Sequence, residues 1–179
     1  MRTSSQWWNE IKSNPEELKQ WLIRQYVGEM AAVNLLSDVL IRFGGDMAET
    51  EWDDVYKVMM QEAKHARWVK ELLADRKITI PTGLDATRRY WEEVIPAVEK
   101  LDDAAHAAHN AEEMRLHRIR TIAEENDPAY ADLQNVFQRI LPDEEWHERV
   151  FDGLCRTEHN PKMDTAHNKG LRALSLVLS

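Results

Sequence analysis

The strongest constraint on the fold is a polar pair that occurs twice, a glutamate followed three residues later by a histidine. The first pair is Glu62 and His65, in the segment QEAKHARW, and the second is Glu144 and His147, in DEEWHERV. On an α-helix, residues i and i+3 project from the same face. Each pair interrupts a row of apolar residues, so a helical chain would bury both pairs. Four buried polar groups require a shared partner that makes their burial favourable.

The composition predicts long helices in a single domain. The 179 residues include only 6 Gly and 6 Pro, and 31% are charged. Few turn-forming residues in a chain of this length indicate long helices, and the length is typical of one domain spanning residues 1–179.

The charge and cysteine content exclude several classes of function. The net charge is −9, which argues against a nucleic-acid partner, because binding to phosphates depends on clustered Lys and Arg. The single cysteine, Cys155, excludes an internal disulfide and a cysteine-based metal site. No segment is apolar enough to span a membrane, and the start of the chain lacks an apolar signal stretch. We therefore expect a cytoplasmic protein without membrane contact.

Helix start signals delimit the first long helix. Asn14 is a typical cap and Pro15 a typical first residue, while Gly44 marks the end. The apolar stripe of this helix is interrupted by Glu29, where a carboxylate has no ordinary reason to lie.

Similar signals start the second and fourth long helices. Thr50 with Asp53 resembles a capping box. Asp127 and Pro128 repeat the combination of cap and proline. Each of these helices carries one Glu-x-x-His pair within its apolar stripe.

The third long helix has two interpretations, a single helix over 85–125 kinked at Pro96, or a short helix over 85–95 followed by a separate helix that begins at Pro96. In the second, the candidate glutamates lie 14 (29 − 15), 11 (62 − 51), 16 (112 − 96) and 16 (144 − 128) residues from their helix starts. In the first, Glu112 would lie 27 residues from the start of its helix (112 − 85) and miss the level of Glu62 by about 18 Å. We therefore predict a long crossover over 77–96 that carries a short helix, with the second and third long helices parallel.

The phase of the third helix leaves one ambiguity. Glu112 interrupts its apolar stripe, whereas Glu113 points about 100° away, toward His106, His109 and Arg120. Glu112 is the predicted inward residue, and Glu113 is the alternative.

The partner of the buried carboxylates is predicted to be metal. The alternative is a salt-bridged bundle, but the four apolar stripes offer no cation at the depth of the glutamates. Unpaired buried carboxylates would cost more than the whole stability of a small domain. Oxygen and imidazole donors suit iron or manganese, and four carboxylates balance two divalent ions.

One inward Glu on the first and third helices, with Glu-x-x-His on the second and fourth, resembles the ferritin-like di-iron carboxylate superfamily of bacterioferritins, rubrerythrins and oxygen-activating di-iron oxidases. The resemblance covers a four-helix core at about 15–155 and implies an all-α, ferritin-like four-helix bundle. It implies two iron ions, or a Mn/Fe pair, held by Glu29 and His65 on one side and Glu112 and His147 on the other, with Glu62 and Glu144 as bridges.

The same resemblance assigns roles to residues near these ligands. Gln61 and Asp143 each precede a motif glutamate, where such proteins often place a hydrogen-bonding partner for the histidine of the opposite motif. His109 stands where the rubrerythrin pattern has a second carboxylate, and is either an extra ligand or a residue that lies beside the ligands or faces solvent. Tyr26, one turn from Glu29, is either a core residue or a participant in radical chemistry. Pro142 should kink the fourth helix.

Three further features leave alternatives open. An alanine-rich run at 104–111 either lets helices pack closely or leaves room for a substrate. The tail at 156–179 is predicted to form a short docking helix rather than a membrane anchor. The seven Trp suggest an apolar surface buried in a homodimer.

The leading functional hypothesis is an oxidoreductase that activates O2 or peroxide to oxidise a small molecule, with an external electron donor as a further partner. The alternatives are a ferroxidase of an iron-storage protein and a non-catalytic metal-binding module.

Overall fold

The computed structural model describes residues 3–82 and 88–173, and all regular secondary structure in these ranges is helical. The α-helices are α1 (Ser4–Ser13), α2 (Pro15–Phe43), α3 (Glu49–Asp75), α4 (Arg88–Val94), α5 (Leu101–Ala123), α6 (Ala131–Leu154) and α7 (Pro161–Ala173). The four long helices α2, α3, α5 and α6 form the bundle, and the predicted all-α, ferritin-like class is confirmed.

The start of α2 follows the sequence signals, whereas that of α3 does not. The Asn14 side chain accepts hydrogen bonds from the backbone N–H groups of Glu16 and Glu17 at 3.1 and 3.3 Å. At α3, the Glu51 carboxylate accepts the backbone N–H of Ala48 at 2.8 Å. The predicted capping box at Thr50 was therefore wrong, because the helix begins one residue earlier, at Glu49, and Glu51 in its first turn accepts the free N–H of the cap residue Ala48.

The third and fourth bundle helices begin later than predicted. Pro96 lies within a 3₁₀ turn at Ile95–Ala97, and α5 begins at Leu101, five residues further on (101 − 96). Pro128 likewise begins a 3₁₀ turn capped by Asp127, and α6 follows from Ala131. The short helix α4 precedes α5, but residues 83–87 lie outside the described ranges, so the path of the crossover remains a prediction.

The revised helix starts bring the four glutamates to a more uniform depth. They lie 14 (29 − 15), 13 (62 − 49), 11 (112 − 101) and 13 (144 − 131) residues from the first residue of their helices. At 1.5 Å per residue this is a spread of about 4.5 Å. The helix α6 continues through Pro142 to Leu154.

An N-terminal helix that the sequence analysis did not predict closes one end of the bundle. Thr3 and Gln6 cap α1 reciprocally, which is a recognisable start signal. Trp7 and Trp8 of α1 are buried, and the ring of Trp7 lies 5.6 Å from that of Trp21 on α2. Three of the seven Trp are thus buried within the chain, which weakens the argument for a homodimer, and the homodimer itself stays a prediction.

The C-terminal helix α7 docks on α4 and α5, as expected for a docking helix in the tail. Met163 and Leu171 of α7 are buried in one apolar cluster with Tyr90 and Val94 of α4. The hydroxyl of Tyr90 hydrogen-bonds Nδ1 of His167 at 2.6 Å.

The bundle is closed on three sides and open on the fourth. The helix α2 packs along α3, α5 packs along α6, and α3 faces α6, whereas α2 and α5 barely touch. None of the helices in the described ranges is long and apolar enough to cross a membrane.

Candidate metal centre

Each of the four bundle helices contributes buried polar side chains to one region of the core. All six predicted ligands are there, namely Glu29 of α2, Glu62 and His65 of α3, Glu112 of α5, and Glu144 and His147 of α6. Five have no solvent-exposed surface, and Glu112 is 6% exposed.

The ligand atoms form two overlapping groups. In the first, donor atoms of Glu29, Glu62, His65 and Glu144 all lie within 4.8 Å of one another, and in the second the same holds for Glu62, Glu112, Glu144 and His147. Glu62 and Glu144 belong to both groups. This arrangement could hold two metal ions, each with its own carboxylate and histidine and with two further carboxylates between them.

A hydrogen-bonded chain fixes the orientation of the two imidazole rings. His65 Nε2 lies 3.1 Å from Asp143 Oδ2, and His147 Nε2 lies 3.2 Å from Gln61 Oε1. Gln61 Nε2 donates to Asp143 Oδ1 at 2.6 Å and so joins the two halves. With Nε2 engaged, Nδ1 of each ring faces the carboxylates. Such partners hold a histidine in one tautomer and leave its other nitrogen free to bind metal.

Buried atoms without hydrogen-bond partners show that the residues suit a metal pair. In the described part of the chain, nine buried side-chain N or O atoms lack a partner, and seven of them belong to the six predicted ligands. They include both carboxylate oxygens of Glu62 and the Nδ1 atoms of His65 and His147. Unpartnered buried polar atoms are costly. Their concentration around one volume, with a donor set of carboxylates and imidazoles, fits iron or manganese.

Arg115 contradicts the expectation that no cation lies at this depth. Its guanidinium donates to Glu29 Oε1 at 2.7 Å and to Glu144 Oε1 at 3.3 Å. It also lies 3.9 Å from Glu62 and 3.7 Å from Glu112, and the side chain is 19% exposed. Arg115 follows Glu112 by three residues on the same helix face, a spacing that would have identified it from the sequence.

The pKa values of the four carboxyl groups separate into two pairs. Burial and the negative charges of neighbouring glutamates raise the pKa of Glu62 and that of Glu112 well above the usual range. Burial also acts to raise the pKa of Glu29 and of Glu144, but Arg115 and other neighbouring donors outweigh it and hold both below the usual range. Two of the carboxyl groups thus favour the protonated form and two the ionised form.

The two histidines are shifted in opposite directions. Burial acts to lower both pKa values, but Glu144 and Glu29 outweigh it at His65 and raise that pKa to about 10. At His147 burial dominates, and the pKa falls to about 4. The negative charges of Glu29 and Glu144 thus face the positive charges of His65 and Arg115.

Other residues singled out in the sequence lie outside both ligand groups. Glu113 is exposed, so the structure selects Glu112 as the inward residue of α5. His109 lines a separate cavity of about 390 Å³ with His106. Tyr26 is partly buried and packs against the apolar cluster at one end of the bundle.

A cavity opens beside the cluster on the side where α2 and α5 separate. This α2–α5 cavity has a volume of about 1060 Å³ and reaches Glu112 and Arg115. Its lining includes four members of the alanine-rich run, Ala104, Ala107, Ala108 and Ala111. Ala105 instead packs in the core with Val55 and Phe151. The run thus serves both purposes considered above, close packing and open space.

The bundle and its buried carboxylate–histidine cluster define a ferritin-like di-iron carboxylate protein. The family model for Rubrerythrin matches residues 56–155, which is more than half of the chain, and the chain belongs to this family. The match spans most of α3 through α6 and so includes five of the six predicted ligands. No curated protein and no solved structure shows a significant match.

Proposed function

We propose that this protein is a non-haem di-iron oxidoreductase that uses O2 or peroxide to oxidise a small organic substrate. The observation that carries the proposal is the pair of ligand groups that share Glu62 and Glu144. Each group brings together four residues, and with one ligand atom from each, a metal position would keep room for an exogenous ligand.

The metal pair would be held by the six buried residues, with Glu62 and Glu144 between the two positions. Two iron ions, or a Mn/Fe pair, would supply the redox chemistry when bound. Asp143 and Gln61 hold the imidazole rings in place, which fixes the direction of both Nδ1 atoms. Near-complete burial of the ligands keeps bulk water from the reacting centre.

The α2–α5 cavity favours an organic substrate over iron storage. It lies against Glu112 and Arg115, and much of its lining consists of small or apolar side chains. Concave, largely apolar sites with a few polar groups are typical of small-molecule binding. A storage protein requires a route for iron, for which acidic side chains would be more suitable.

The test is an anaerobic Fe(II) titration followed by exposure to air, with visible absorption and O2 consumption recorded. We expect uptake to stop near two Fe(II) per chain and O2 to be consumed in proportion to the bound iron. Continued uptake far beyond two irons, with elution as a very large assembly, would indicate storage instead. Stoichiometric binding without O2 or peroxide consumption would indicate a non-catalytic metal-binding module.

A matched pair of variants tests the site assignment in the same assay. Glu112→Ala should reduce uptake to about one Fe(II) per chain, because it removes the one carboxylate private to the second ligand group. Glu113→Ala, at the exposed neighbouring position, should retain both. The reverse result would contradict the site described here.

A further inference from the structure

We propose that the α2–α5 cavity binds an organic carboxylate with an apolar body, whose carboxylate pairs with Arg115. The role of this acid as the substrate rests on the proposed function, whereas its binding does not.

The size and lining of the cavity suit an apolar body. Its volume of about 1060 Å³ is slightly above the range of about 300–1,000 Å³ typical of small-molecule pockets. Gly28 and Ala32 of α2 face the alanines of α5 across it, with Leu36 and Val39 further along α2. Small side chains on both helices leave the space that larger ones would fill.

The length of the alanine-lined wall sets the shape of the ligand. Ala104 precedes Arg115 by 11 residues (115 − 104), which is about 16 Å along the axis of α5. An extended acyl chain or a small ring system would lie along this wall with its acidic end at Arg115.

Arg115 distinguishes an acid from a neutral or cationic ligand. It lines the cavity, is 19% exposed, and contacts the glutamates of the metal centre. Of the other arginines along the cavity, Arg42 pairs with Asp38 and Arg118 lies over the ring of Trp7, while Arg24 is exposed. The acidic side chains in the described lining, other than Glu112, are Glu10, Glu17 and Asp38. Arg115 is therefore the cation that an acid entering the cavity would meet beside the metal centre.

The charge of the loaded centre also favours an anion. Four carboxylates and two divalent ions sum to zero, and the guanidinium then adds one positive charge in a largely buried site. An uncompensated buried charge is unfavourable, and a bound carboxylate would neutralise it. Arginine also binds carboxylates with paired, parallel hydrogen bonds.

The experiment measures binding directly by equilibrium dialysis of decanoate, below its micelle concentration, against Mn(II)-loaded protein. The Mn(II) content is determined first. Decan-1-ol serves as the neutral ligand of equal chain length. We expect about one decanoate per chain and at least tenfold weaker binding of decan-1-ol.

Two variants and their controls locate the site. Arg115→Met should weaken decanoate binding at least tenfold, and Arg120→Met, which removes an arginine paired with Glu145 outside the cavity, should leave it unchanged. Ala32→Trp should abolish binding by filling the cavity, without removing a residue of the metal centre. Asn34→Trp, at an exposed position outside the cavity lining, should have no effect.

The outcomes separate this proposal from the proposed function. If Mn(II) binds but decanoate does not, or decan-1-ol binds as tightly, the cavity proposal is wrong and the di-metal centre stands. If Mn(II) does not bind but decanoate still does, with the same dependence on Arg115 and Ala32, the cavity proposal stands and the di-iron function falls. A dimer that dissociates specifically in Ala32→Trp would show that a second chain fills the cavity, which would also overturn the proposal.

Discussion

Arg115 contacts the carboxylates that would hold the metal ions, so we expect it to affect metal binding and stability in opposite directions. Its guanidinium is a counterion for Glu29 and Glu144, and it would repel cations bound beside them. For Arg115→Met we expect at least tenfold tighter Mn(II) binding, together with a loss of stability in EDTA of up to about 3–5 kcal/mol. A chelator competition assay and urea denaturation measure the two effects.

The control for this prediction is an arginine in a more exposed ion pair. Arg120 pairs with Glu145, and both side chains are about 40% exposed. Arg120→Met should change stability by no more than about 1 kcal/mol and leave Mn(II) affinity unaltered. Weaker Mn(II) binding in Arg115→Met would show that the guanidinium helps to assemble the metal centre rather than opposing the ions.

Metal uptake should release protons, because three ligands favour their protonated forms. The pKa of His65 is raised to about 10, and burial raises the pKa of Glu62 and of Glu112 well above the usual range. Metal binding requires neutral imidazole and ionised carboxylates, so it displaces these protons. We expect up to three protons released per chain on loading, and an affinity that rises from pH 6 to pH 8. Calorimetry in buffers of different ionisation enthalpy counts the protons, and an affinity independent of pH would contradict this prediction.

At the scale of the helix, Gly170 of α7 has no room for a side chain, because the ring of Tyr90 lies against it. A Cβ added there would lie 2.5 Å from Cδ2 of Tyr90, which is buried and hydrogen-bonded to His167. Replacing glycine by alanine within a helix normally stabilises by about 0.5–1 kcal/mol. For Gly170→Ala we expect the opposite sign, a loss of about 1–3 kcal/mol, because the ring must shift or α7 must lift.

Gly153 of α6 is the matched control. A Cβ there meets nothing within 4 Å, so Gly153→Ala should stabilise the protein by about 0.5–1 kcal/mol. Urea denaturation of both variants decides the sign. Equal stabilisation by the two substitutions would show that α7 adjusts freely on α4.

The sequence predicted the residues of the centre more accurately than it predicted the helix boundaries, because the apolar stripes of the helices mark those residues directly. Glu29, Glu62 and Glu144 stand out because each interrupts an apolar row, a signal that survives an error of several residues in the helix start. The start of α5 was predicted at Pro96 instead of Leu101 because Pro96 lies in a 3₁₀ turn that precedes the helix. No local sequence pattern distinguishes such a turn from the first turn of an α-helix.

Contacts between helices explain the other differences. Arg115 stands next to the apolar stripe of α5 rather than within it, so the stripe does not mark it, although its position three residues after Glu112 places it near the same helix face. The opening between α2 and α5 could not be derived from the sequence of either helix, because the distance between these two helices depends on the packing of all four bundle helices. The alanine-rich run indicated the location of the cavity but not that it is open.

For the whole molecule, the stability of the metal-free protein should fall as pH rises, and metal loading should suppress that fall. The unfolded chain releases the His65 proton near 6.5, while the folded protein retains it up to about 10. The folded protein therefore binds more protons over this interval, and its stability in EDTA falls as pH rises. The raised pKa values of Glu62 and Glu112 act in the same direction above the ordinary glutamate range.

Metal loading should suppress this fall of stability with pH, because bound metal ions would replace the protons that His65, Glu62 and Glu112 retain in the folded protein. Stabilisation by a bound ligand grows with the ratio of its concentration to Kd, and affinity rises with pH. The difference in Tm between Mn(II)-loaded and EDTA-treated protein should thus be larger at pH 8.5 than at pH 6.5. Differential scanning fluorimetry at both pH values measures it, with His65→Gln as the variant in which the pH dependence in EDTA should weaken. A gap in Tm that narrows at pH 8.5 would mean that the cluster holds fewer protons than its geometry indicates.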